Sequence, residues 1–247
     1  MALHFDQALE RVITTGDEWQ TWRARRISSA DVGEPPAIPA QDDEGGFIGP
    51  GGRPSPGSTG EALCHLRIIG LATSGAAAIA ADWLEEVRTP ARAWLDSPDE
   101  VPGELDNAAT ARVWATASAA CGLLAVGRDP GGRALDLLRG ESDQDGRFTG
   151  GGYSTYAAAG AFWLAEGSKT EIAEWALRWC REAGDEWWGP WERATALTFW
   201  LGAAIPPDHP SVEQFVEELR DLAPEGGWDH DLGLTMRTLE LVAACGR

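Results

Sequence analysis

The residues that could do chemistry in this 247-residue chain fall into a few small groups. Glu61 and His65 are four apart, which places them on one face of a helix. They sit inside an otherwise apolar stretch, where a carboxylate and an imidazole need partners. Asp229-His230-Asp231 sets a His between two acids, and an Asp beside a His can fix its tautomer and raise its pKa for general acid–base work. The plainer reading makes Asp231 a helix cap with exposed neighbours. Asp42-Asp43-Glu44 and Asp143/Asp145 could act as acid and base or, at Asp42 and Asp43, hold Mg²⁺; the plainer reading is turn-forming Asp beside Gly. Trp114, Tyr153, Tyr156, Trp188, Trp191 and Trp200 could line an apolar pocket or steady a cation, or could simply be core.

Cys64, Cys121, Cys180 and Cys245 lie singly in apolar stretches, and the four His are scattered. That is not structural-zinc spacing, so free buried thiols and no resident metal or cofactor are expected, Mg²⁺ at Asp42/Asp43 aside.

The formal net charge is −19, which argues against nucleic acid and anionic membrane surfaces as partners. It allows a basic partner, a cationic ligand or a metal-assisted anionic one. The N-terminus lacks a basic flank and apolar run, and no apolar stretch reaches membrane-spanning length. The expectation is a cytoplasmic protein of one domain over 1–247.

Those candidate groups must be positioned by a repeated architecture. A tripeptide of Gly, any residue and a large apolar residue recurs at Gly45-Gly46-Phe47, Gly103-Glu104-Leu105, Gly146-Arg147-Phe148, Gly189-Pro190-Trp191 and Gly226-Gly227-Trp228. The interval is that of one helical hairpin per repeat. Each tripeptide leads into an apolar, Ala-rich helix, predicted at 58–73, 107–126, 154–166, 192–204 and 231–245, with a Thr near its start (Thr59, Thr110, Thr155, Thr195, Thr235). Charged, amphipathic helices precede the tripeptides, at 4–27, 76–88, 131–139, 169–183 and 210–222. Gly75, Gly127 and Gly167 are read as caps that end inner helices. Alternating wet and buried helices imply two concentric layers, an all-α, α/α-toroid of about five hairpins. A Pro/Gly-rich loop at 28–58 and an insert at 89–106, with a short helix near 90–96, interrupt the pattern. Arg112 and Arg237 stand at the position of Glu61, two residues past the repeat Thr, so the three are expected either to converge on the centre of the ring or to form salt bridges between helices.

The repeat resembles that of the squalene-cyclase and prenyltransferase superfamily, in which an Arg/Lys-Gly/Ala start, two apolar positions and a Gln end in Gly-x-Trp. Gln41, Gly45 and Phe47 carry the likeness, as do Arg133-Ala134, Leu137-Leu138, Ser142, Gly146 and Phe148. Gly189/Trp191 and Gly226/Trp228 carry its last step. The superfamily's Asp-x-Asp-Asp, Asp-x-Cys and Asp-Asp-x-x-Asp motifs are absent, so no catalytic residue is carried over. The resemblance implies an enzyme of natural-product biosynthesis that cyclises or alkylates a small molecule with loss of an anionic leaving group in an apolar cavity. His65, Glu61, Asp229, His230 or Asp231 would handle the proton. Arg112, Arg237, Trp114, Tyr153, Tyr156, Trp188 and Trp191 would hold the substrate. Five hairpins instead of six leave the ring short, to be completed by a partner protein or an extra helix, and a non-catalytic partner-binding subunit is the alternative. A carbohydrate-active α/α-barrel is the third. The site is expected where the Gly-x-aromatic loops meet the inner-helix starts.

Overall fold

The computed structural model describes residues 3–28, 31–102, 105, 107–168 and 170–246. Gly103, Glu104 and Lys169 lie outside them. The described residues form α-helices joined by loops: α1 (Phe5–Thr15), α2 (Glu18–Ser28), α3 (Pro56–Ile68), α4 (Gly75–Glu86), α5 (Ala108–Ala125), α6 (Gly132–Gly140), α7 (Gly151–Glu166), α8 (Glu171–Trp187), α9 (Pro190–Gly202), α10 (Pro210–Leu222) and α11 (Leu232–Ala244). Pairing outside helices is confined to isolated bridges such as Gln41 with Phe47 and Ser142 with Phe148. The fold is all-α, as expected.

The two layers are those predicted. Ala157 and Leu197, on α7 and α9, are fully buried, whereas Glu171 and Arg178 on α8 are exposed. α3, α5, α7, α9 and α11 are the inner helices. α4, α6, α8 and α10 lie outside them, each burying one stripe.

The recurring Thr has a physical job. Its hydroxyl accepts the backbone N–H of the preceding aromatic residue in three repeats: Phe47 to Thr59 at 2.9 Å, Phe148 to Thr155 at 3.0 Å and Trp228 to Thr235 at 2.9 Å. The glycine ahead of that aromatic is left-handed, at φ 105° for Gly45 and 91° for Gly146. There the backbone presses onto an outer helix, against Ile79 and Trp175, where a side chain has no room.

The inner helices do not stand around an open lumen. α9 packs on α3, α5 and α7 at once. A Cβ on Gly122 would lie 2.5 Å from the Gly60 carbonyl oxygen, one on Gly202 would lie 2.7 Å from Cys64 Cβ, and one on Gly160 would lie 2.8 Å from Cys121 Sγ. These glycines let the helices touch backbone to backbone, and the Cys64 and Cys121 thiols, 3.5 Å apart, fill the middle.

Three local expectations are corrected. The predicted 4–27 helix breaks at Gly16 into α1 and α2, because Asp17 Oδ1 accepts Gln20 N (2.7 Å) and Gln20 Oε1 accepts Asp17 N (3.1 Å), a reciprocal helix start. No helix forms at 90–96; the insert instead makes a 3-10 turn at Pro98–Glu100. The inner helix predicted to reach 73 ends at Ile68, with Gly70 in the left-handed cap conformation, and Gly75 begins α4 behind the Ser74 cap. At the place left for a partner chain or an extra helix, α1 and α2 pack on α11, and α2 spans the seam where α11 and α3 touch lightly.

Candidate functional site

The seam carries a buried polar network. Glu61 and His65 project from α3, and Arg237 and Glu240 from α11, while α2 contributes Arg23. All of these but Glu240, together with Trp19, the loop residues 38–40, Phe47 and Trp191, surround a cleft of about 350 Å³, a volume suited to a small molecule.

Glu240 is the pivot. Its carboxylate takes Arg23 in a two-pronged pair, with Nε to Oε1 at 2.7 Å and Nη2 to Oε2. Oε2 also lies 2.8 Å from His65 Nε2. Arg23 Nη2 also lies 3.3 Å from that nitrogen, but the carboxylate is nearer and two acceptors would repel at 2.8 Å, so Nε2 carries the hydrogen and Nδ1 is left as the basic nitrogen. Burial would raise the Glu240 carboxyl, but the charges of Arg23 and His65 outweigh it and hold the group at about 2. Burial lowers His65, Glu240 opposes that and Arg23 adds to it, so the net displacement is downward. Trp19 supports the network from behind: it stacks on Trp22 with ring centroids 5.5 Å apart, and Arg23 lies 5.7 Å from its ring centre.

A second pair stands nearer the mouth. Arg237 Nη1 bonds Glu61 Oε1, and the guanidinium sits 5.5 Å over the Trp191 ring. Trp191 Nε1 donates to Asp231 Oδ2 at 3.0 Å, while Asp231 Oδ1 caps α11 by accepting Leu234 N at 2.8 Å. Trp191 is 42% exposed at the cleft opening.

Thus Glu61, His65, Arg237 and Trp191 do come together, at the seam instead of the centre. The other candidates do not join them. Arg112 is exposed and bonds Glu141 at 3.0 Å. Asp229 pairs with Arg11 at 2.8 Å, His230 is exposed and Asp231 is a cap, so the expected Asp–His pair is not formed there. Asp42 Oδ1 accepts the N–H groups of Glu44 and Gly45, and Asp143 Oδ1 those of Asp145 and Arg147; both are turns, with Asp43 exposed beside the first. Among the described residues no three His, Cys, Asp or Glu side chains gather where a metal could sit. Trp114, Tyr153, Tyr156, Trp188 and Trp200 pack with Phe199 and Phe215 in the core, Trp114 and Trp188 edge to face, Tyr156 stacked and Trp200 tilted; they do not line the cleft.

Two buried acids of the 89–106 insert brace the cleft wall. Asp96 accepts Gly57 N at the start of α3 (3.2 Å), and Glu100 accepts Gly51 N (3.0 Å) and Arg53 N (3.2 Å) from the Pro/Gly-rich loop. Burial raises Asp96 to about 7, against the pull of the Gly57 hydrogen bond.

The residues missed from sequence are Glu240, Arg23 and Asp17. Glu240 had a usable signal, an acid three residues after Arg237 inside an apolar helix. Arg23 had none, since its partner lies 217 residues away.

No protein-family model matches the chain, and no curated protein matches it significantly. No helix among the described residues is long and apolar enough to cross a membrane.

Proposed function

We propose that this chain is an enzyme that transforms a small, partly apolar molecule in the seam cleft, with His65 Nδ1 taking the substrate proton. The observation that carries the reading is the Glu240–His65 bond beside a small-molecule-sized cleft. A carboxylate that fixes the tautomer of an uncharged imidazole makes a general base near neutral pH. Glu240 and Arg23 act on His65 and position it. The reaction class is cyclisation or group transfer that begins or ends with proton loss, in keeping with the resemblance of the repeat to cyclases and prenyltransferases. The anionic leaving group is the less supported part, because Arg237 and Arg23 already hold carboxylates and Arg112 is elsewhere.

A second reading, a non-catalytic subunit that binds a partner protein, draws support from the packed centre, which denies the chain the deep cavity of a cyclase. One experiment separates the two. Purified protein and a His65→Gln variant, checked for equal helicity, are incubated with a small-metabolite extract and followed by mass spectrometry. Consumption of a metabolite by the wild type and its loss in His65→Gln supports catalysis. An extract left unchanged by the wild type hands the case to the partner-binding reading.

A further inference from the structure

The charges around the cleft do not balance. Arg23 and Arg237 line it, but each is matched by a carboxylate, Glu240 and Glu61. Asp17, on the α1–α2 turn at the rim, is exposed and makes no ion pair among the described residues. His65 is displaced toward its uncharged form by burial. One negative charge is therefore left over in a cleft whose apolar walls include Trp19, Phe47 and Trp191. Arg23 and Arg237 already sit against the Trp19 and Trp191 rings, so the pull on a ligand cation comes from the rim carboxylate, while the aromatic walls offer surface to an apolar body. The chain's net charge of −19 draws cations from solution in the same sense. Anions meet the reverse: to bind, they must displace Glu61 or Glu240 from an arginine, and losing the buried Arg23–Glu240 pair is the heavier penalty.

We infer that the ligand of this cleft is a small organic amine, bound as its ammonium with the charge toward Asp17 and its apolar body against Trp19, Phe47 and Trp191. This rests on the reading of the cleft as a small-molecule site.

The test uses the intact chain and two probes of like shape, phenethylamine and 3-phenylpropionate, titrated by calorimetry and by tryptophan fluorescence. The amine should bind saturably and perturb the emission, and the carboxylate should bind at least about tenfold more weakly, the equivalent of about 1.4 kcal/mol. Asp17→Asn, which keeps a side-chain oxygen for the start of α2, should weaken the amine about fivefold, as expected for one partly exposed charge contact. Trp191→Ala should weaken it without changing the preference between probes. Equal or tighter binding of the carboxylate, an unchanged amine affinity in Asp17→Asn, or no saturable binding of either probe overturns the inference. Binding is read without turnover, so the two readings fail separately. Loss of the extract activity with the amine preference intact removes the catalytic reading alone. Turnover with no preference between probes removes this one alone.

Discussion

Glu240 Oε2 lies 2.8 Å from His65 Nε2 across the seam between the first and last inner helices, with Arg23 clasping the same carboxylate from the N-terminal helix pair. Three distant parts of the chain meet on one side chain, and its loss should be felt in both stability and chemistry.

Glu240→Gln should destabilise the fold by about 3–5 kcal/mol at neutral pH, because it leaves Arg23 buried without its counter-charge. The effect should also depend on pH. The folded-state value of about 2 lies below the ordinary 4.5, so the stability this group contributes is present above pH 4.5 and is lost as pH falls toward 2. That contribution is about 3 kcal/mol. Urea unfolding of both proteins from pH 7 to 2.5 should show the curves converging on the acid side. Parallel curves would be the contrary result.

Asp96 should behave in the opposite sense. Its folded value is raised to about 7 from 3.8, so wild-type stability falls as pH rises between those values, by up to about 4 kcal/mol. Asp96→Asn keeps an acceptor for Gly57 N and removes the ionisation. The variant should gain on the wild type between pH 4 and pH 7, then hold a constant lead. A lead that does not grow over that range would show that Asp96 titrates normally.

Gly60→Ala and Gly122→Ala should each destabilise by about 1–3 kcal/mol or more, because the added methyl meets the backbone of the facing helix, which cannot turn aside. Gly132→Ala, at a position open to space on α6, is the control and should be neutral or mildly stabilising. Thermal melts decide this, and similar melting points for all three would contradict the close helix crossing.

The Tyr156 hydroxyl is fully buried and has no hydrogen-bond partner among the described residues. Tyr156→Phe should therefore stabilise the chain, by about 1 kcal/mol, by removing a desolvated group that gains nothing in return. A clear loss of stability would mean that the hydroxyl is bonded after all.

The sequence made the layers legible because two signals agreed. Residues such as Ile172, Ala173, Ala176 and Leu177 fall at helical spacing beside charged neighbours, and the Gly-x-aromatic–Thr unit repeats because each copy makes the same hydrogen bond. Half of the site was legible too: Glu61 and His65 are anomalies in an apolar helix, and Arg237 shares their register. What could not be read is pairing across the chain. Arg112 occupies the same repeat position as Arg237, yet faces Glu141, because the register of a repeat does not say which neighbour is near. The packed centre was hidden as well. Gly60, Gly122, Gly160 and Gly202 look like ordinary small residues in Ala-rich helices until two of them are found against each other.

The closure of the seam by α1 and α2 has a consequence for how the protein comes into being. Arg11 bonds Asp229 and Arg23 bonds Glu240, contacts that span 218 and 217 residues of chain. A linear stack of helical hairpins can grow from one end, each unit settling on the last. This one cannot finish that way, because its first helices must wait for α11 to be made before they have a surface to dock on. Closing so long a loop is entropically expensive and slow. The cleft thus cannot exist before α11 has been made, and a ribosome-bound chain that holds only the earlier hairpins folded has no binding site.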